Sequence, residues 1–136
     1  MRTARQQGQG LVEVALVLPA IAVGMLLVVG LGLLARTNGG VAGVAGEAAR
    51  AGALASNAAT AEQAGQDRAA AVADGYGLER ERLRVSLDTA DFRRGGEVRA
   101  TVDYTVPLGG LVPLVWGDVP LHHEAAEPVD PYRTFR

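Results

Sequence analysis

Two short stretches hold residue types that can do chemistry. Gly8-Gln9-Gly10-Leu11-Val12-Glu13 leads straight into an uncharged apolar run, Val14 to Ala35. Asp118, followed by His122-His123-Glu124, gathers metal-ligand types in a small window. The first stretch is the more informative, because a carboxylate at the mouth of an apolar helix is costly. An acidic side chain at the centre of a membrane helix costs about 2.5–3.5 kcal/mol, and less near the ends. Glu13 stands near the end, and the apolar run contains no Lys or Arg to pair with it. Its stabilising cation has to come from elsewhere.

The second stretch is weaker. Adjacent histidines in an extended strand point to opposite faces and cannot share one ion within a chain. No third and fourth ligand stands at a familiar spacing, so no metal site is expected. There is no phosphate loop, no Ser-His-Asp set and no Gly-x-Ser-x-Gly elbow. Gly95-Gly96 and Gly109-Gly110 read as turn glycines, and Glu79-Arg80-Glu81-Arg82 as a solvated charge cluster. Catalysis, a cofactor and a small-molecule substrate are therefore not expected.

The elements that must position Glu13 begin with the apolar run. Its 22 residues carry no charge. At 1.5 Å per residue they reach about 33 Å, roughly one hydrocarbon core. Membrane helices tolerate Pro19 and the glycines 24, 30 and 32 that punctuate it. Arg2 and Arg5 precede the run and Arg36 follows it, which puts the N-terminus in the cytoplasm and the rest outside. A secretory signal is the rival reading. Against it, the run exceeds the usual apolar length of roughly 7–15 residues. The nearest small-x-small sites, Ala51-Gly52-Ala53 and Ala53-Leu54-Ala55, also lie well past its end.

About one hundred further residues leave room for one small domain. The net charge of −2 with dispersed basic residues argues against nucleic acid as a partner. With no cysteines, an extracytoplasmic domain must stand without disulfides. Aromatics make up only 4% of the chain, which limits the core that the exterior part can build.

Thr37-Asn38-Gly39-Gly40 has the composition of a helix stop. Val41 to Ala73 is rich in alanine, which predicts a helix, with Val41, Val44, Ala48, Ala51 and Ala55 as one stripe. A flexible Ala/Gly spacer is the alternative. Ala20 with Gly24, and Gly39 with Gly43, have the small-xxx-small spacing that lets membrane helices approach closely. Asp74-Gly75-Tyr76-Gly77 reads as a turn. Beyond it the period becomes two: Leu83, Val85 and Leu87, then Val98, Ala100, Val102, Tyr104 and Val106, with Arg93-Arg94-Gly95-Gly96 between them. This predicts an antiparallel hairpin with one apolar face against the alanine-rich helix, and a third strand near Val119 to Glu127. Pro107 to Pro120 is too broken for a second span. Its Leu111, Val112, Leu114, Val115 and Trp116 either rest at the bilayer interface or pack back on the sheet. Glu127 to Arg136 reads as an exposed tail. The fold class expected is α+β.

Residues 8–19, Gly-Gln-Gly-Leu-Val-Glu-Val-Ala-Leu-Val-Leu-Pro, resemble the N-terminus of TadE-like proteins, minor pilins (pseudopilins) of the Flp/Tad branch of the type IV pilus machinery. The shared pattern is a glycine, four residues, a glutamate and an apolar run with an early Leu-Pro. Ala48-Ala49-Arg50-Ala51-Gly52-Ala53 resembles the family's Ala-Arg-rich segment just past the membrane. The specific likeness covers about the first third of the chain, and Val14 stands where the family usually has an aromatic residue.

The resemblance implies cleavage between Gly8 and Gln9 by a prepilin peptidase, a membrane aspartate enzyme. Glycine at the scissile position lets the backbone lie extended in a tight cleft. It also implies that Glu13 pairs with an N-terminal amine during assembly, so that Glu13 acts as a registry device. The organisation it implies is a leader at 1–8, a transmembrane helix at 9–36 and an extracytoplasmic helix at 37–74. A small β domain would follow at 75–128, and a tail at 129–136. The partners implied are the prepilin peptidase, other pilins, pilus assembly proteins and the lipid bilayer. The alternative class is an unprocessed single-pass anchor displaying a small protein-binding domain.

Overall fold

The computed structural model describes residues 4–109 and 117–132, and only the backbone of residues 4–9 and 11. In chain order the elements are α1 (Ala4–Leu54), α2 (Ala58–Tyr76), a 3₁₀ turn (Arg80–Arg82), β1 (Leu83–Asp88), β2 (Glu97–Pro107) and β3 (Asp118–Pro128). The fold is α+β: a long apolar N-terminal helix and a small three-stranded antiparallel sheet.

α1 is 51 residues long and contains Pro19 without ending there. Thr37–Gly40, whose composition could end a helix, does not end it: helix runs unbroken through both glycines. The reason is tertiary. The Tyr76 ring of α2 lies over Gly40 and Gly43, so a Cβ at either position would sit 3.2–3.3 Å from ring atoms. Packing on one face outweighs the weak helix propensity of glycine, as it usually does in folded proteins.

The alanine-rich stretch is helical but divided. Leu54 ends α1, and Asn57 caps α2 in extended backbone geometry (φ −155°, ψ 171°). Asn57 Oδ1 accepts from the Thr60 N–H at 2.9 Å, and Thr60 Oγ1 accepts from the Asn57 N–H at 3.1 Å. This reciprocal pair satisfies two backbone donors at once, so the polar Ser56-Asn57-x-x-Thr60 motif interrupts what alanine propensity alone would continue. The expected turn at 74–77 shrinks to its last residue. Asp74, Gly75 and Tyr76 are helical, and Gly77 closes α2 at φ +69°.

α2 folds back along α1. Its buried residues are Ala61, Gly65, Ala69 and Ala73, one every fourth position. They face a stripe on α1 that includes Val41, Val44, Ala48 and Gly52. Small side chains bring the backbones close: a Cβ on Gly65 would lie 3.0 Å from the Ala48 carbonyl oxygen and 2.1 Å from a Leu87 methyl. The stretch is a packed helical hairpin, not a spacer. Glu47 and Arg68 clamp its outer side, with Nε and Nη2 donating to Glu47 Oε2 at 2.9 and 2.6 Å.

The strands lie in the order β1-β2-β3. Register places Val85, Val102 and His123 in one row and Arg84, Asp103 and His122 in the next. Val98, Ala100, Val102, Tyr104 and Val106 of the central strand are buried, while the alternate positions form a polar outer face. Val41, Val44, Ala48, Ala69, Val102 and Val106 belong to one core cluster. Among the described residues no polar or charged side chain is buried.

The β1–β2 connection runs from Thr89 to Gly96 and contains the turn expected at Arg93-Arg94-Gly95-Gly96. Gly96 is required there, because a Cβ would come within 2.0 Å of the Asp91 carbonyl oxygen. Val129 does not begin an exposed tail. It exchanges backbone bonds with Gly95 and Gly96 at 3.2 and 2.8 Å and is fully buried in a cluster with Ala53 and Val98. Exposure starts at Asp130. Residues 111–116, for which two locations were open, lie outside the described residues.

Candidate functional site

The lower half of α1, up to Leu33, and the head, formed by the rest of α1 with α2 and the sheet, are built by opposite rules. From Val12 to Leu33 the helix presents its large apolar side chains outward, Leu16 and Val28 each 71% exposed. Leu34 is the first residue of α1 to pack against the core cluster, and Gly40 and Val41 are the first of that stretch to be buried with it. Exposed apolar surface on this scale is unfavourable in water at about 25 cal/mol per Å² and costs nothing in hydrocarbon. The helix carrying it is the one among the described residues long and apolar enough to cross a membrane.

Glu13 is exposed on α1 and makes no hydrogen bond or ion pair among the described residues. It lines a shallow furrow with Gly10, Val14, Val17, Leu18 and Ile21. A second furrow shares Ile21 and continues along Gly24, Met25 and Val28. The carboxylate therefore sits at one end of an apolar track along the helix.

Gly8 and Gln9 lie in helical backbone, since α1 begins at Ala4. Gln9 and Glu13 are one i, i+4 step apart, about 6 Å along the axis and on the same face. Extending the Gly8–Gln9 bond into a protease cleft requires the first turns of α1 to unwind. The first four N–H groups of any helix lack intrahelical partners, so its beginning is the easiest part to unwind.

The small residues singled out for packing do not behave alike. Ala20 is exposed, and a Cβ on Gly24 or Gly39 would meet nothing within 4 Å. Gly43 instead takes the Tyr76 ring, and its companion under that ring is Gly40 rather than Gly39. Close helix–helix approach occurs higher up, at Gly52 and Gly65, which spacing alone did not single out. Their signal was the fourfold repeat Ala61, Gly65, Ala69, Ala73.

The two histidines point to opposite sides of β3. His122 Nδ1 donates to Asp103 Oδ1 at 2.7 Å on the solvent face. His123 Nε2 donates to Asn38 Oδ1 at 2.8 Å, tying β3 to α1 just beyond the apolar run. On the outer face Arg99 bridges Glu97 and Glu124. Near the base of the head, the Arg80 guanidinium hydrogen-bonded to Asp74 holds that carboxyl below its ordinary value. Glu79 pairs with Arg82 at 2.6 Å.

Comparison with protein-family models, curated proteins and solved structures finds no match.

Proposed function

We propose that the chain is a minor pilin (pseudopilin) of a Flp/Tad pilus system, processed after Gly8 by a prepilin peptidase and assembled through its N-terminal helix. The observation that carries the reading is Glu13: a carboxylate with no ion pair among the described residues, on a lipid-length apolar helix five residues beyond Gly8. A simple anchor has no need of a charge there, and such a charge costs free energy unless a partner meets it. Cleavage after Gly8 creates an amine at Gln9. That amine, on a neighbouring subunit or one helical turn away in the same chain, supplies the missing cation.

In this reading the cytoplasmic leader carries Arg2 and Arg5, and the head is extracytoplasmic. The furrow from Glu13 to Val28 receives the helices of other pilins, and the polar outer face of the sheet stays in solvent. The partners are the peptidase, other pilins, pilus assembly proteins and the bilayer. Glu13→Ala tests it. The variant is expected to insert in the membrane and fold its head normally, yet lose co-purification with pilus components. Co-purification at the wild-type level would refute the registry role.

A further inference from the structure

We propose that the base of the head holds a binding groove for the phosphate headgroup of an anionic phospholipid in the leaflet on the head's side of the membrane. The groove encloses about 470 Å³ between α1 and the head, lined by Leu33, Arg36, Thr37, Tyr76, Tyr104 and Pro107 among others. It rests on the membrane-spanning part of the functional reading alone, not on processing at Gly8.

Position identifies the occupant. Leu33 lies within the apolar run and Arg36 is the first charge beyond it, so the groove opens where hydrocarbon gives way to headgroups. Gly40, one turn further, is already packed beneath Tyr76, so the head sits directly on that layer. Tyrosine and arginine are the side chains suited to this depth, each with an apolar body and a polar tip.

Charge selects the lipid. Arg36 makes no ion pair among the described residues. Among the described residues the one acid that lines the groove, Glu79, is engaged by Arg82 at 2.6 Å, and Asp74 nearby is engaged by Arg80. Arg36 is left to a phosphate, which a guanidinium can bind in a bidentate fork, with the Thr37 hydroxyl beside it. The net charge of −2 rules out a general attraction of the whole chain to anionic lipid as the cause.

The test uses the full chain in nanodiscs of phosphatidylcholine with a minor share of phosphatidylglycerol. After gentle detergent release, native mass spectrometry counts the lipids retained. Wild type is expected to retain phosphatidylglycerol in preference to phosphatidylcholine. Arg36→Gln is expected to lower that preference about fivefold, the effect of one basic residue at a membrane surface. Arg36→Lys should restore part of it. Arg50→Gln, an exposed arginine on α1 well above the groove, should leave it unchanged. Equal retention of both lipids by wild type, or an equal loss with Arg50→Gln, overturns the proposal. So does displacement of the lipid by millimolar inorganic phosphate, which would make the groove a site for a soluble anion. The same series in the Gly8→Ala background should read identically, so failure of the processing model and failure of the lipid site remain distinguishable.

Discussion

Along a single helix, the two halves of α1 bury opposite kinds of residue. The lower half exposes Leu16, Val28 and Leu31, whereas the upper half buries Ala45, Ala48 and Ala49. Large side chains facing outward suit a lipid surround, because leucine gains nothing by leaving hydrocarbon. Small side chains face inward where α2 and the sheet close over the helix, because small residues let backbones come together. Glycine changes meaning along the same line. Gly24 and Gly39 have empty space around them, while Gly52 would place a Cβ 2.9 Å from Val98.

The largest expected effect that breaks this symmetry is a charge in the lower half. Val28→Arg should cost about 2.5–3.5 kcal/mol of membrane insertion. It should leave the head intact, because Val28 touches none of it. Alkaline extraction of membranes, beside a thermal melt of the head, separates the two readouts. A lowered melting temperature with normal insertion would mean that the lower half is part of a water-soluble fold.

Next comes the upper half. Gly65→Ala should destabilise the head by about 1–3 kcal/mol, the usual range for overpacking. Leu87 can rotate away from the new methyl, but the Ala48 carbonyl 3.0 Å off cannot. When Leu87→Ala is combined with it, the two losses should be less than additive, and a denaturant midpoint series measures that coupling.

A smaller contrast lies between neighbouring glycines. Gly39→Ala should stabilise the head by about 0.5–1 kcal/mol through helix propensity alone. Gly43→Ala should gain less or lose, because Tyr76 must give way by a few tenths of an ångström. Equal gains at both positions would show that the ring does not constrain α1.

The smallest effect is electrostatic. The hydrogen bond and charge of Arg68 hold the Glu47 carboxyl below its ordinary value of 4.5. A lowered folded pKa stabilises above the unfolded value and is lost as the pH falls through the folded one. The head's melting temperature should therefore drop slightly more for wild type than for Glu47→Gln as pH is taken from 6 to below 4.5. Identical slopes would remove the clamp from the account.

Much of the head was legible in the sequence. The period of two at Leu83–Leu87 and Val98–Val106 marks strands that bury one face, and those strands form with the same residues inward. The third strand, expected near Val119 to Glu127, forms at Asp118–Pro128. The helical hairpin was less legible, because alanine propensity is continuous across 41–73 while the break depends on the two side-chain bonds between Asn57 and Thr60. The persistence of helix through Gly39-Gly40 was not legible, since it depends on a ring thirty-six residues away from Gly40 in sequence. At the candidate site, the cost of a carboxylate in an apolar run marked Glu13, and the family resemblance marked Gly8 and Gln9. They could not reveal the groove at Arg36, which joins residues from α1, the end of α2 and β2.

The most direct measurement is the intact mass and N-terminal sequence of the membrane-extracted protein, beside its Gly8→Ala variant, from cells that contain a prepilin peptidase. The account predicts a wild-type chain beginning at Gln9 and a variant beginning at Met1. A wild-type chain beginning at Met1 would contradict it and leave a single-pass anchor. A start at Leu54 or Ser56 would contradict it more deeply, because it would remove the upper half of α1 on which α2 and the sheet are packed.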